Sequence, residues 1–289
     1  MVDDSIREDI LKAQENEITE YLIYRRLAEA TSDRKNSELL RRIGEDELAH
    51  YEFWRDHSGE DVKPDTFKVW RYTMAAKLLG LTFAVKLMEQ GEERAQIAYD
   101  DISKHIPEAA RIIEEEDEHE GQLLGMLDEE RLRYMGSVVL GLNDALVELT
   151  GALAGFTLAF QDSRLVAVTG LIMGFAASLS MAASEYLATK SEDDGKHPVK
   201  ASVYTGSAYV LTVALLILPY LALTNIYLSL AFTLVNAILV IAFFTFYISV
   251  AKDLSFRERF LEMAGISMGV ALLTFIIGYA VRSVFGVDF

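Results

Sequence analysis

An all-α fold in two parts is what this sequence predicts: a helical bundle in water followed by a set of membrane-spanning helices. Three observations predict it. Apolar residues recur at helical spacing through residues 1–133, with no alternating strand pattern. Long stretches without charge fill residues 134–289. The charge also divides unevenly. Residues 1–133 carry 33 Asp and Glu against 19 Lys and Arg, a net of −14, whereas residues 134–289 carry 11 against 8, a net of −3. Such a shift in composition marks a domain boundary, expected at 133/134.

The first part reads as four helices, over about residues 3–31, 36–57, 65–104 with a break near Gly80, and 107–133. Ser58-Gly59 and Ile106-Pro107 supply stop and start signals. Four helices joined by short links predict an antiparallel four-helix bundle. Acidity disfavours nucleic acid as a partner and favours cations. The absence of cysteine removes disulfides, thiol catalysis and thiolate metal sites. The opening residues have neither a basic n-region nor an apolar h-region, so no signal peptide is expected to carry this part outward.

Each expected helix places a carboxylate in the middle of its apolar stripe. The stripes run Ile10, Ala13, Glu17, Tyr21, Tyr24; then Ile43, Glu47, His50, Tyr51, Trp54; then Val85, Glu89, Glu92, Gln96, Tyr99; and last Ile112, Glu116, His119, Leu123. Burying unpaired carboxylates costs several kcal/mol apiece unless something neutralises them. Two divalent metals would do so. A di-metal bundle takes one Glu from each of two helices and a Glu-x-x-His pair from each of the other two. Here Glu47/His50 and Glu116/His119 are the pairs, Glu17 and Glu89 the single acids, and Glu92 an additional or mobile ligand. A salt-bridged polar core is the competing reading, and the acidic run 114–120 reads mostly as a solvated face.

The second part contains five stretches long enough to span a bilayer, which needs roughly 20 mainly apolar residues. They are 135–160, 165–189, 201–251 divided by Pro219 and Thr224-Asn225 into two, and 263–281. Loop charge sets the orientation. With the N-terminus inside, the cytosolic flanks hold Arg131, Arg133, Lys190, Lys196, Lys200, Lys252, Arg257 and Arg259, against only Arg164 and Arg282 opposite. Five spans then leave the C-terminus outside. Ionisable groups within spans are functional by default. Asp144 and Glu148 are one turn apart on one face, and Met173, Met181 and Glu185 share a face of the next span. Carboxylates and thioethers together suit a borderline-soft divalent cation.

At these residues the chain resembles the membrane-bound ferritins, in which a rubrerythrin-like domain of the ferritin superfamily is fused to a vacuolar iron transporter-like membrane domain. Glu17, Glu47-x-x-His50, Glu89-x-x-Glu92 and Glu116-x-x-His119 carry the first half of the resemblance. Gly141-Leu142-Asn143-Asp144 and Leu179-Ser180-Met181-Ala182-Ala183-Ser184-Glu185-Tyr186 carry the second. The resemblance implies a ferritin-like bundle holding two iron ions, with manganese as the other metal. It further implies proton-coupled Fe²⁺ transport with Asp144 and Met181 in the pore, and a homodimer. Two departures stand out. The rubredoxin module of full rubrerythrins is missing, as zero cysteines require, and only a short loop over 190–200 replaces the transporters' cytosolic metal-binding insert. A second expectation keeps the bundle as a ferroxidase or peroxidase with the spans as an anchor. A single span would suffice for that.

Overall fold

A computed structural model describes residues 4–88, 102, 105–126, 129–192 and 195–285. The chain divides into two compact units, Met1–Asp128 and Glu129–Phe289. All regular structure among the described residues is helical.

The first unit opens with α1 (Asp4–Ala30) and α2 (Arg34–Ser58). Asp33 starts α2 by accepting a hydrogen bond from the Asn36 amide at 2.8 Å, the ordinary N-cap device. Gly59 ends it at φ 71°, donating its N–H to the Arg55 carbonyl. This left-handed conformation is open to glycine at no steric cost. Asp65 caps α3 (Thr66–Leu79) by accepting from the Phe67 and Lys68 amides. Gly80 at φ 97° separates α3 from α4, which is described over residues 81–88. The expected break near Gly80 is therefore real, while the rest of the expected third helix lies outside the described residues. A 3₁₀ turn (Pro107–Ala109) leads into α5 (Ala110–Leu124).

The fourth expected helix needs correction. It stops at Leu124, and Arg131 and Arg133 belong to the next helix, α6 (Glu129–Phe160), which opens the second unit. The two low-propensity glycines Gly121 and Gly125 sit at this end and weaken continuation.

Contacts fix how these helices meet. Trp54 bonds Glu17 and Ser58 bonds Gln14, so α1 and α2 run antiparallel. His50 meets Glu115 while Arg42 meets Gln122, so α2 and α5 run antiparallel too. Two apolar layers result. One gathers Ile23, Tyr24, Leu27, Leu40, Ile43 and Leu123 with α3 and α4 residues. The other gathers Ile10, Ala13, Trp54, Ile102, Ile106 and Ile112. Between the two layers, in chain position along α1, α2 and α5, lie Glu17, Glu47, His50, Glu116 and His119.

The second unit consists of α6, α7 (Ser163–Ser191), α8 (Pro198–Ala222), α9 (Ile226–Ala251) and α10 (Phe256–Phe285). All five are long and apolar enough to cross a membrane. The uncharged 51-residue stretch breaks where expected, but Asn225 does the work. Its side chain accepts from the Tyr227 and Leu228 amides at 3.0 and 3.1 Å and starts α9, whereas Pro219 stays inside the last turn of α8.

Small residues and hydroxyls hold the helices together, as is usual where lipid removes the hydrophobic drive between spans. A Cβ on Gly141 would collide with the Thr205 carbonyl, and one on Gly278 with the Gly155 carbonyl. The Thr274 hydroxyl donates to the Gly151 carbonyl at 2.6 Å, and Thr233 to the Leu216 carbonyl at 2.9 Å. Exposed Leu, Ile, Val and Phe side chains cover the outer faces.

Candidate metal centre

The first unit brings four of the expected ligands into one cluster. Single ligand atoms of Glu17, Glu47, His50 and Glu116 all lie within 4.8 Å of one another. Helical spacing explains the convergence: Glu47, His50 and Trp54 face inward at i, i+3 and i+7, and Ile112, Glu116 and His119 at i, i+4 and i+7. Glu17 and Glu47 are 1% exposed, as is His50.

Both imidazoles turn Nδ1 toward the carboxylates. His50 Nδ1 lies 3.0 Å from Glu116, 3.4 Å from Glu47 and 3.8 Å from Glu17. His119 Nδ1 lies 3.3 Å from Glu47 and 3.9 Å from Glu116. Two atoms each about 2.1 Å from one ion, at ordinary ligand angles, stand roughly 3–3.5 Å apart. The observed separations suit a shared ion.

Orphaned atoms give the stronger test. Among the described residues, both carboxylate oxygens of Glu47, Nδ1 of His50 and of His119, and Oε1 of Glu116 are buried with no hydrogen-bond partner. A folded protein leaves few such atoms, and each one calls for an explanation. Here all five belong to oxygen and nitrogen ligands turned to one place. The donor set fits a divalent transition metal such as iron.

Electrostatics agree. Burial raises the Glu47 carboxyl well above its ordinary range, and the nearby Glu17 charge adds to it while His50 opposes it. Burial and the Glu47 charge push Glu116 up to about 8. Burial alone would lower His50, but the facing carboxylates of Glu116, Glu17 and Glu47 outweigh it and hold the imidazolium well above its usual range. All three directions favour proton uptake by the metal-free cluster.

Outer partners emerge that residue spacing does not reveal. His50 Nε2 lies 2.9 Å from Glu115, and His119 Nε2 lies 3.2 Å from Asp46. Each of these acids immediately precedes the glutamate of a Glu-x-x-His pair, yet each reaches the histidine of the opposite helix. Trp54 donates its indole N–H to Glu17 at 3.1 Å. The run 114–120 is accordingly mixed: Glu114, Asp117 and Glu118 are exposed, whereas Glu115 and Glu116 are half-buried. Glu89 and Glu92 lie outside the described residues.

The membrane acids are arranged otherwise. Asp144 on α6 is half-buried, and Glu148, one turn on, is exposed. Glu148 accepts a hydrogen bond from the buried Tyr209 of α8 at 2.8 Å. Glu185 on α7 accepts one from Ser137 of α6 at 2.5 Å. Met173 and Met181 are half-buried against the unit's apolar core. Among the described residues these acids form no group of three comparable with the first unit's cluster.

No curated protein matches the chain. Residues 135–197 match the model of the VIT family, the vacuolar iron transporters. The matched stretch contains Asp144, Glu148, Met173, Met181 and Glu185. Together with five apolar helices, this likeness marks the second unit as the membrane part of a metal transporter.

Proposed function

We propose that the protein exports Fe²⁺ from the cytosol in exchange for protons. In this reading the first unit is a cytosolic, ferritin-like four-helix bundle that captures the iron. One observation carries the transport reading. The stretch similar to the VIT family holds all three acids and both methionines expected on the pathway. Asp144 and Glu148 bind the ion within α6, Met173 and Met181 offer thioethers from α7, and Glu185 lies toward the other end of α7. Tyr209 and Ser137 orient two of these carboxylates through single hydroxyl bonds. Such bonds are readily exchanged for an ion or a proton. Glu148 is exposed in the single chain, and a carboxylate facing lipid is costly. This supports a homodimer in which a second copy or a water-filled path covers that face.

Glu17, Glu47, His50, Glu116 and His119, completed by Glu89 and Glu92, are the ligands proposed to hold two iron ions. Bound iron supplies one-electron redox chemistry, which makes ferroxidase or peroxidase activity accessible to the unit. The protein's own contribution is a dry cradle. Glu115 and Asp46 fix the two imidazole rings with Nδ1 inward, and Trp54 fixes Glu17. Removal of a proton from His50 and Glu116 accompanies loading, because ligands bind deprotonated.

The loop charges support an N-in, C-out orientation, so transport runs outward. Fe²⁺ flux into or out of proteoliposomes, measured for the full chain and for Asp144→Asn, tests the proposal. Wild-type flux that responds to an imposed pH gradient and disappears in Asp144→Asn is the expected result. Equal flux in both would move the transport site elsewhere and favour the anchored di-iron enzyme.

A further inference from the structure

α3 is apolar on two opposite faces. Val69 and Tyr72, with Ala76, pack into the core of the first unit. The opposite face carries Phe67, Trp70 and Leu78, which are 65%, 52% and 74% exposed, with half-buried Met74 between them. Positions i, i+3, i+7 and i+11 form a single stripe on a helix. The Phe67 and Trp70 rings stack at 5.8 Å. Exposed Arg71 and Lys77 border the stripe on its two sides, and exposed Lys63 precedes it. Residues 63–80 hold four basic side chains and one acid, a net of +3, within a half of the chain whose net charge is −14.

We propose that this face of α3 docks on an anionic lipid surface. Phe67, Trp70 and Leu78 enter the boundary between headgroups and acyl chains, and Lys63, Arg71 and Lys77 meet the lipid phosphates. Trp, Phe and Leu flanked by Lys and Arg is the composition of helices that lie in a bilayer interface. Lysine is depleted in protein–protein interfaces, which argues against a second copy as the occupant. The charge sign complements anionic lipid while the rest of the unit repels it. The same chain also crosses the bilayer, so docking is intramolecular and a weak interfacial helix suffices. The metal-binding unit is then held at the lipid surface by its own helix. This inference goes beyond the transport reading and needs only the membrane spans.

The chain has two tryptophans, and Trp54 is fully buried, so quenching reports on Trp70. The intact protein is placed in nanodiscs of neutral or part-anionic lipid, with brominated acyl chains as membrane quencher and acrylamide as aqueous quencher. Brominated lipid should quench emission strongly in anionic discs and less in neutral ones, and Trp70→Phe should lose that quenching. Arg71→Gln and Lys77→Gln should each lower the bound-to-free ratio of the helix about fivefold, and added salt should act in the same direction. Trp70 open to acrylamide and untouched by brominated lipid would make the face solvated and overturn the proposal. Trp70 shielded from both quenchers would give the face to another protein copy and overturn it equally.

Discussion

The carboxylates of the two units invite comparison. In the first unit Glu17, Glu47 and Glu116 converge with His50 inside a dry layer, and atoms of Glu47, His50 and Glu116 have no hydrogen-bond partner among the described residues. In the second, Asp144, Glu148 and Glu185 are spread over two helices, half-buried or exposed, and two of them rest on single hydroxyls. A preassembled cage of unsatisfied ligands favours retention, because an ion that leaves it restores the cost of burying charge. A dispersed set with replaceable partners favours passage, since an ion that binds weakly at several points can also leave. On the proposed reading, the contrast teaches that similar residue types serve capture or transit according to how completely the fold gathers them.

The largest expected effect would break that contrast in the membrane. Asp144→Ala should abolish Fe²⁺ flux while leaving iron bound by the first unit unchanged, read by metal analysis of the same purified protein. Loss of both together would mean that the two units do not divide the work as proposed.

Glu47→Ala is the reciprocal test, and its effect is expected to be nearly as large. Glu47 is the residue with both oxygens orphaned, so its removal should eliminate most iron bound by the first unit. Replacing several ligands together by apolar residues should raise the thermal midpoint of the metal-free unit, because carboxylate repulsion and desolvation disappear. A wild-type stoichiometry near zero would end the di-metal reading and leave a polar core.

A third test sharpens the cage itself. Asp46→Asn and Glu115→Gln keep shape and remove the charge behind each imidazole. Losses of about 10–100-fold in metal affinity are expected from removing such outer partners. Unchanged affinity would show that the two rings are oriented by packing alone.

Much of this was legible in residue order. The inward acids stand out because a 3.6 period puts Glu47 and His50 in line with Ile43 and Trp54, and the stop at Ser58-Gly59 follows ordinary helix rules. The end of α5 was not legible. Residues 121–133 contain no proline, and their leucines, methionine and arginines continue the helical pattern through two glycines, so only the structure separates α5 from α6. Asp46 and Glu115 were hidden for another reason. They look like members of a solvated face, and their partners lie 73 and 65 positions away on another helix. Tyr209 and Ser137 are similar cases. Periodicity finds which face is buried, but the partner depends on how two faces rotate against each other.

The smallest expected effect needs no substitution. Glu116 takes its ordinary value in the unfolded chain, about 4.3, and is raised to about 8 in the folded one. Between those values the folded state binds more protons than the unfolded state, so stability falls as pH rises. His50, also raised, pushes in the same direction above its ordinary range. The metal-free first unit should therefore melt at a lower temperature at pH 8 than at pH 6. A divalent metal replaces the same protons, so its affinity should rise over that interval. Calorimetry of the full chain with and without Fe²⁺ or Mn²⁺ should show a small metal-induced rise in the first unit's midpoint at pH 6 and a larger one at pH 8. A rise that is equal at the two pH values would mean that metal and protons do not compete, and that the ion binds away from Glu116 and His50.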